Sequence, residues 1–153
     1  MHYELPPFAA SRLEMEMNSM TCEELNALHE KQQGFIAKTG IRITELKEGY
    51  AKGRIVLDAG CNNPMDYVHG GCLFTLADTV AGHAALSYGG VVTTSSAEIH
   101  YLNPAKDTEY IEAEANVIRN GRTISLYDVM IRDDKGTEIC KLILTFFRIN
   151  MTE

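Results

Sequence analysis

The chain has 153 residues, of which 45% are hydrophobic and 23% charged, with a formal net charge of −7. This length and composition predict one globular domain that buries a substantial core. The acidic balance argues against a nucleic acid or an anionic membrane as partner. Every apolar run is interrupted well before the roughly 18 residues that a membrane-spanning helix requires.

Cysteine usage and the N-terminal segment indicate the compartment. The chain contains Cys22, Cys61, Cys72 and Cys140, with neither a CxxC pair nor metal-finger spacing. In a chain of this size, that pattern predicts four reduced thiols. The first 17 residues carry three acids and lack the apolar core of a secretory signal. We therefore expect a cytoplasmic protein.

The N-terminal part of the chain predicts an arm followed by a helix. Residues 1–20 show no period and form the predicted arm; residues 21–150 form the predicted domain. Thr21 and Glu24 fit a capping box, in which each side chain accepts from the backbone of the other residue. Apolar residues then recur at helical spacing to about residue 38, and Gly40 is placed to end the helix.

The remainder of the chain predicts one further helix among long strands. Residues 41–46 and 50–57 alternate at period two around a glycine-containing turn, which predicts a hairpin. Residues 59–68 form a loop, and residues 70–87 a helix that is apolar almost all round and so buried on most sides. The remaining predicted strands are residues 91–102, 109–118, 123–132 and 138–149. This order is an α+β pattern.

The segment from His69 to Asp78 carries the chemistry. Gly70 and Gly71 open the helix and leave backbone N–H groups accessible to an incoming oxygen. Asp78 follows within an apolar run, where an ionised carboxylate is expensive to keep away from water. The segment predicts an oxyanion-binding helix end together with a buried base, a combination suited to acyl transfer.

The motifs around this segment resemble a known family, the hotdog-fold acyl-CoA thioesterases of the phenylacetate-degradation type, a group that includes human thioesterase superfamily member 2. The resemblance covers roughly residues 25–150. It is carried by Asn63, the His69-Gly70-Gly71 segment and Asp78, followed by the segment Tyr101-Leu102-Asn103-Pro104-Ala105. It implies an antiparallel sheet of five or six strands wrapped around a central helix, here with an extra N-terminal helix. It also implies metal-free hydrolysis of acyl-CoA by dimers, often tetramers.

The resemblance also implies roles for single residues. Asp78 falls at the position of the carboxylate that acts as base or nucleophile, and Gly70 at the position of the N–H that binds the thioester oxygen. His69 flanks that site. Asn63 falls where an amide positions water or the thioester, and Thr94 where a hydroxyl supports the water or the carboxylate.

Substrate binding is assigned to two further groups of residues. Gly71 and Tyr101 belong to the motifs that carry the resemblance. The second group is the turn around Arg119, in which two arginines flank a glycine and could hold the phosphates of coenzyme A; its members are Arg119, Gly121, Arg122 and Thr123. We expect no metal and no cofactor beyond the coenzyme A of the substrate.

Helix geometry predicts the oligomeric state. Gly70 and Asp78 are eight residues apart, so about 12 Å along one helix. An oxyanion donor and a base must both lie about 3 Å from the same reacting group. If both act, they come from two chains with antiparallel helices, which predicts a two-fold homodimer with two equal sites.

Several alternatives stay open. His69 could act chemically or only orient the loop, whereas His83 and His100 lack partners at metal spacing and are predicted to be structural. Cys72 near a helix start could be a nucleophile, but no His–Cys–Asp order in the sequence supports that role. The chain could also be a non-catalytic acyl-CoA sensor, or an enoyl-CoA hydratase or dehydratase of the same fold that uses Asp78 with His69.

Overall fold

The structure, a computed structural model, describes residues 20–149; nearly all of the predicted arm lies outside this range. The helices are α1 (Cys22–Gln32), α2 (Phe35–Thr39) and α3 (Gly70–Leu86), and a short 3-10 turn spans Ala59–Cys61. The strands are β1 (Arg42–Lys47), β2 (Tyr50–Val56), β3 (Val91–Tyr101), β4 (Tyr110–Asn120), β5 (Ile124–Asp133) and β6 (Glu138–Ile149). No helix among these residues is long and apolar enough to cross a membrane.

The six strands form one antiparallel sheet in the order β1-β2-β4-β5-β6-β3. The α3 helix lies across one face of this sheet and contacts all six strands. The inward side chains of β2, β4, β5 and β6 alternate with partly exposed ones, as expected of strands with one buried face. The predicted α+β class and the sheet around a central helix are confirmed.

Small side chains allow α3 to approach the sheet closely. The buried face of the helix consists mainly of alanine with Leu73, Leu76 and Val80. On the facing strand, a Cβ at Gly53 would lie 2.8 Å from a methyl carbon of Val80 and 3.0 Å from the backbone oxygen of Arg42. Contacts this short exclude a side chain at position 53, so glycine sets the distance between β2 and the helix.

The opposite face of α3 is not covered in the single chain. Gly71 is exposed, and Thr75, Asp78, Thr79 and Gly82 are only half-buried. The expectation of a helix buried on most sides holds only in part for one chain, because the sheet buries a single face completely and the other face is half-buried. The uncovered face carries the residues of the predicted site.

The N-terminal helix starts as predicted but is interrupted. The capping box is present: the Glu24 N–H donates to Thr21 Oγ1 (3.2 Å), and the Thr21 N–H donates to Glu24 Oε2 (2.8 Å). The predicted single helix to residue 38 is wrong, because Gln33 adopts a left-handed conformation (φ 51°) and Gly34 begins α2. Gly40, with φ 71°, ends α2. The interruption turns α2 away from the axis of α1.

Two histidines join α1 to α3. His83 is 5% exposed, and its Nδ1–H donates to the Thr79 carbonyl oxygen (2.7 Å). In a neutral ring, Nε2 then accepts, so the His29 Nε2–H donates across the 3.2 Å between the two rings. Burial, together with the nearby His29, lowers the pKa of His83 to about 4, and burial also lowers the pKa of His29. This contact requires a neutral His83, because a protonated ring has no nitrogen left to accept from His29.

We predict that this pair makes the fold sensitive to acid. In the unfolded chain His83 binds a proton near its ordinary pKa of about 6.5, whereas the folded chain resists protonation down to about pH 4. Stability should therefore fall as the pH drops through that window, by about 2–3 kcal/mol at pH 4. Urea unfolding of His83→Gln should show a shallower pH dependence than the wild type. His100→Gln, at an exposed histidine paired with Glu98, should follow the wild type. Parallel curves for all three proteins would contradict the assignment.

Candidate active site

The N-terminus of α3 is held by its first histidine. His69 is the N-cap, and its Nδ1 accepts a hydrogen bond of 2.8 Å from the Gly71 N–H. The preceding loop is tied to the same point, since the His69 N–H donates to the Cys61 carbonyl oxygen (2.8 Å). A backbone donor of the helix is thereby satisfied. His69 has a structural role whether or not it also takes part in chemistry.

A neighbouring ring packs closely against each of the two glycines. A Cβ at Gly71 would lie 3.0 Å from His69 Nδ1 and would press on the cap. A Cβ at Gly70 would lie 2.9 Å from the hydroxyl oxygen of Tyr101, whose ring covers this residue. The Tyr101 hydroxyl also donates to the Gly70 carbonyl oxygen (3.3 Å). Tyr101 therefore touches the predicted oxyanion site directly.

The Gly70 N–H is the available donor at this helix end. Within residues 20–149 it has no hydrogen-bond acceptor, whereas the next N–H is taken by His69 and that of Cys72 by the His69 carbonyl (2.9 Å). The first turn of a helix also carries partial positive charge. A carbonyl oxygen that approaches the start of α3 would meet this N–H first.

Asp78 lies two turns further along the uncovered face of α3 and contacts β3. The Thr94 hydroxyl donates to its Oδ1 at 2.7 Å, which leaves Oδ2 without a partner in the described part of the chain. Asp78 is half-buried, and Thr94 is exposed. The expectation of a buried base is thus wrong for the single chain: the carboxylate remains open to water because only one side of α3 is covered.

A β-bulge in β3 brings Thr94 and Tyr101 to the same side of the sheet. The two residues are seven positions apart, which in a regular strand would place them on opposite faces. The pairing of β3 with β6 shifts register between Thr94 and Ser96, so that Ser95 is an extra residue. Because of this shift, Thr94 reaches Asp78 and Tyr101 reaches Gly70.

A cavity of about 450 Å³ adjoins the Asp78 carboxylate. Its walls are mainly apolar, with three phenyl rings contributed by α2, α3 and β6; the apolar lining residues are Phe35, Ile36, Phe74, Leu86, Val92 and Phe146. The polar lining includes Thr75, Thr79, His83 and Thr94. Apolar walls with a few fixed polar groups are typical of a binding site for an apolar group.

The amide of Asn63 is oriented by its own loop. Its Oδ1 accepts from the Met65 N–H (2.9 Å) and the Tyr67 N–H (3.2 Å). The amide nitrogen therefore points away from these donors and has no acceptor among residues 20–149. This loop leads directly into the His69 cap, so Asn63 belongs to the same end of α3 as Gly70.

The arginine turn lies at the other end of α3. Arg122 and Gly121 line a cavity of about 510 Å³ with Gly89 and Gly90, which follow the C-terminus of the helix. Arg148 completes this cavity and donates to the Asn120 side-chain oxygen (3.2 Å). A helix of 17 residues is about 25 Å long. Within one chain, the arginine turn is consequently separated from Gly70.

Cys72 is a protonated thiol at neutral pH. Burial, the neighbouring Cys61 thiol and Asp58 raise its pKa to about 12. A thiolate, not a thiol, is the nucleophile in cysteine chemistry. Cys72 is therefore not an activated nucleophile, in agreement with the sequence. All four cysteines are free.

The structure thus forms two clusters on one face of α3. Gly70, His69, Gly71 and Tyr101 meet at the N-terminus, and Asp78 meets Thr94 near the middle; Arg119–Thr123 joins neither cluster. The sequence did not single out Phe35 or Thr75, and His83 was assigned only a structural role although it also lines the Asp78 cavity. The sequence pattern could have indicated Thr75 as a residue on the same helix face as the site, because it lies at helical spacing between Gly71 and Asp78.

We predict that another N-capping residue can replace His69 without loss of stability, whereas an apolar residue cannot. His69→Ala should lower the free energy of unfolding by about 1 kcal/mol, because the Gly71 N–H loses its acceptor. His69→Asn should stay within a few tenths of a kcal/mol of the wild type, since asparagine is among the preferred N-caps. Urea denaturation of both variants measures this. Equal losses would show that the histidine ring itself, rather than the cap, stabilises the loop.

Comparison with known proteins places this chain in a family. The model of the thioesterase superfamily matches residues 65–140. The chain is 31% identical over 109 residues to a protein of Archaeoglobus fulgidus described as an esterase, and the match covers 71% of each chain. It is 34% identical over 92 residues to the acyl-coenzyme A thioesterase PaaI of Escherichia coli, covering 60% of this chain and 66% of PaaI.

Solved structures agree with these relatives. The E. coli PaaI protein superposes with a TM-score of 0.75 at 29% identity, over 84% of this chain and 94% of that one. A hypothetical thioesterase of Streptococcus pneumoniae, solved with coenzyme A, gives a TM-score of 0.69 at 26% identity, over 74% and 91%. The chain therefore belongs to the thioesterase superfamily, as a hotdog-fold thioesterase of the phenylacetate-degradation type.

Proposed function

We propose that this protein hydrolyses acyl-CoA thioesters to a free acid and coenzyme A. The observation that carries the proposal is the pairing of an unoccupied Gly70 N–H at a helix start with an Asp78 carboxylate held by Thr94. Family membership supports the reaction class, and the coenzyme A in the S. pneumoniae relative supports the substrate class. Water supplies the oxygen and hydrogen that the two products gain.

In this scheme the Gly70 N–H binds the thioester carbonyl oxygen. Negative charge develops on that oxygen when the carbon becomes tetrahedral, and a fixed N–H at the positive end of a helix stabilises it. Tyr101 supports the geometry, because its ring packs on Gly70 and its hydroxyl donates to the Gly70 carbonyl oxygen. The side-chain amide of Asn63 is free to orient water or the thioester from the same end of the helix.

Asp78 acts at the carbonyl carbon. Thr94 donates to one carboxylate oxygen and leaves the other to accept a proton from water or to attack the carbon directly. Both routes are compatible with this geometry: general base catalysis gives the acid at once, and attack gives an acyl anhydride that water then opens. In the first route Asp78 passes the proton taken from water to the departing thiolate of coenzyme A. In the second the thiolate takes a proton from solvent, and the water that hydrolyses the anhydride returns one.

Each site requires two chains. The distance of about 12 Å between Gly70 and Asp78 along α3 prevents one chain from supplying both groups to one carbonyl. The β3 strand is an edge of the sheet, and residues 93–98 are exposed in succession, so neither face of this segment is covered. Antiparallel pairing of β3 with β3 of a second copy would satisfy the backbone groups of this edge and would join two six-stranded sheets.

The same arrangement gives the arginine turn a role. In an antiparallel pair of α3 helices, the C-terminal end of one helix extends past the N-terminal end of the other. The Arg119 and Arg122 side chains of the chain that supplies Asp78 then lie beyond the Gly70 of its partner. That position suits the phosphates of coenzyme A, which are remote from the thioester, and Gly121 and Thr123 shape the turn around them.

We predict that Asp78→Asn lowers thiol release from acyl-CoA by about 100-fold or more, the usual scale for loss of a positioned base. Acyl-CoA binding should persist, and stability should change little, because Asp78 is half-buried rather than enclosed. Asp107→Asn, at an exposed carboxylate outside the Asp78 cavity, should retain full activity. A thiol-detection assay and isothermal calorimetry measure the two effects. Near-normal turnover by Asp78→Asn would remove Asp78 from the mechanism.

We predict that two inactive variants restore activity when mixed. Gly70→Pro removes the oxyanion N–H at a helix position that tolerates proline, and Asp78→Asn removes the carboxylate. In a mixed dimer, one site combines the intact Gly70 of one chain with the intact Asp78 of the other. Co-refolding should recover up to about a quarter of wild-type activity, because random assortment makes half of the dimers mixed, each with one sound site.

The mixing experiment requires two controls. Circular dichroism must show that Gly70→Pro is folded, and two affinity tags must show that mixed dimers are present. Folded, demonstrably mixed dimers without activity would rule out a site shared between chains.

A further inference from the structure

Two cavities lie along the uncovered face of α3. The first adjoins Asp78. The second, also about 450 Å³, reaches Gly71 and Cys72 in the first turn of the helix and is bordered by Lys38, Ile41 and Asp58. Gly60 and Cys61, in the loop that leads into the His69 cap, also line it. The first cavity therefore adjoins the proposed base, and the second lies at the helix start that carries the proposed oxyanion donor.

Among residues 20–149, two line both cavities, Phe35 and Thr75. Thr75 belongs to α3, and its hydroxyl donates to the Gly71 carbonyl oxygen (2.8 Å), which fixes its side chain. Phe35 is the first residue of α2 and is 68% exposed. The wall between the cavities is thus a fixed threonine on one side and an exposed phenyl ring on the other.

The interruption between α1 and α2 places this ring. Gln33 leaves α1 in a left-handed conformation and Gly34 starts α2 without a side-chain cap. Ile36 packs against the core and anchors α2, while Phe35 stands over the uncovered face of α3. The packing that holds α2 therefore does not depend on the Phe35 ring.

We propose that Phe35 determines the length of acyl group that the enzyme accepts. This inference rests on the proposed hydrolysis of acyl-CoA. A thioester carbonyl within reach of Asp78 directs its acyl group into the adjacent apolar cavity, and Phe35 closes that cavity toward the second one. Short- and medium-chain acyl groups end inside the Asp78 cavity, whereas long-chain fatty acyl groups meet the phenyl ring.

The test measures chain-length dependence in three variants. Phe35→Ala opens the wall, Phe35→Trp thickens it, and Val56→Ala is the control, since Val56 is 72% exposed and borders neither cavity. Thiol release is followed across straight-chain acyl-CoAs from acetyl to palmitoyl. Affinity is measured in parallel with S-alkyl-CoA thioethers of the same lengths, which cannot be hydrolysed.

We expect Phe35→Ala to shift the preferred length upward and Phe35→Trp to shift it downward, in both kcat/KM and thioether affinity. Each additional methylene that Phe35→Ala admits should raise kcat/KM and thioether affinity by up to about fourfold. This factor is the equivalent of about 0.8 kcal/mol for burying one methylene. Val56→Ala should keep the wild-type profile. Melting temperatures of all variants should stay within about 2 °C of the wild type, because the replaced side chains are exposed.

A uniform change across all lengths, or an unchanged profile, would overturn the role of Phe35. Absence of thiol release from every acyl-CoA by the wild type would instead overturn the proposed hydrolysis. The thioether affinities still decide the role of Phe35 in that case, because they do not depend on turnover.

Discussion

The close approach of α3 to the sheet is the constraint on which the rest of the structure depends. Alanines on the helix and Gly53 on β2 let the two elements approach closely, and a Cβ at position 53 would collide with Val80. A helix held so closely buries one face completely and leaves the other face of the same helix uncovered. Both clusters of the candidate site lie on this second face or at its start, so the packing that builds the core also decides where the chemistry can occur.

Much of the fold was predictable because its signals are local. Alternation at period two gave the strands to within a residue or two, the capping box marked the start of α1, and Gly40 marked the end of α2. The interruption at Gln33 was not predicted, since glutamine rarely adopts a left-handed conformation and the apolar spacing continues through it. The adjacent Gly34 was the available signal.

The candidate site was predictable only where a motif carried it. Gly70 and Asp78 followed from the segment itself, whereas the contact of Thr94 with Asp78 required the family resemblance. No sequence pattern predicted the β-bulge at Ser95, because neither glycine nor proline lies beside it. Phe35 was missed for a different reason: its place beside α3 depends on contacts between segments distant in sequence, which no local pattern reports.

The bulge in β3 also bears on how the chain avoids unwanted association. A long exposed edge strand is a template on which any other extended segment can pair, and such edges favour aggregation. An extra residue at Ser95 breaks the flat ladder of the edge and increases its twist, so a regular strand cannot follow it along its whole length. A second copy of the same strand carries the same irregularity and can match it about a two-fold axis. The β3 edge would therefore pair with a second copy of this chain in preference to a strand of another protein.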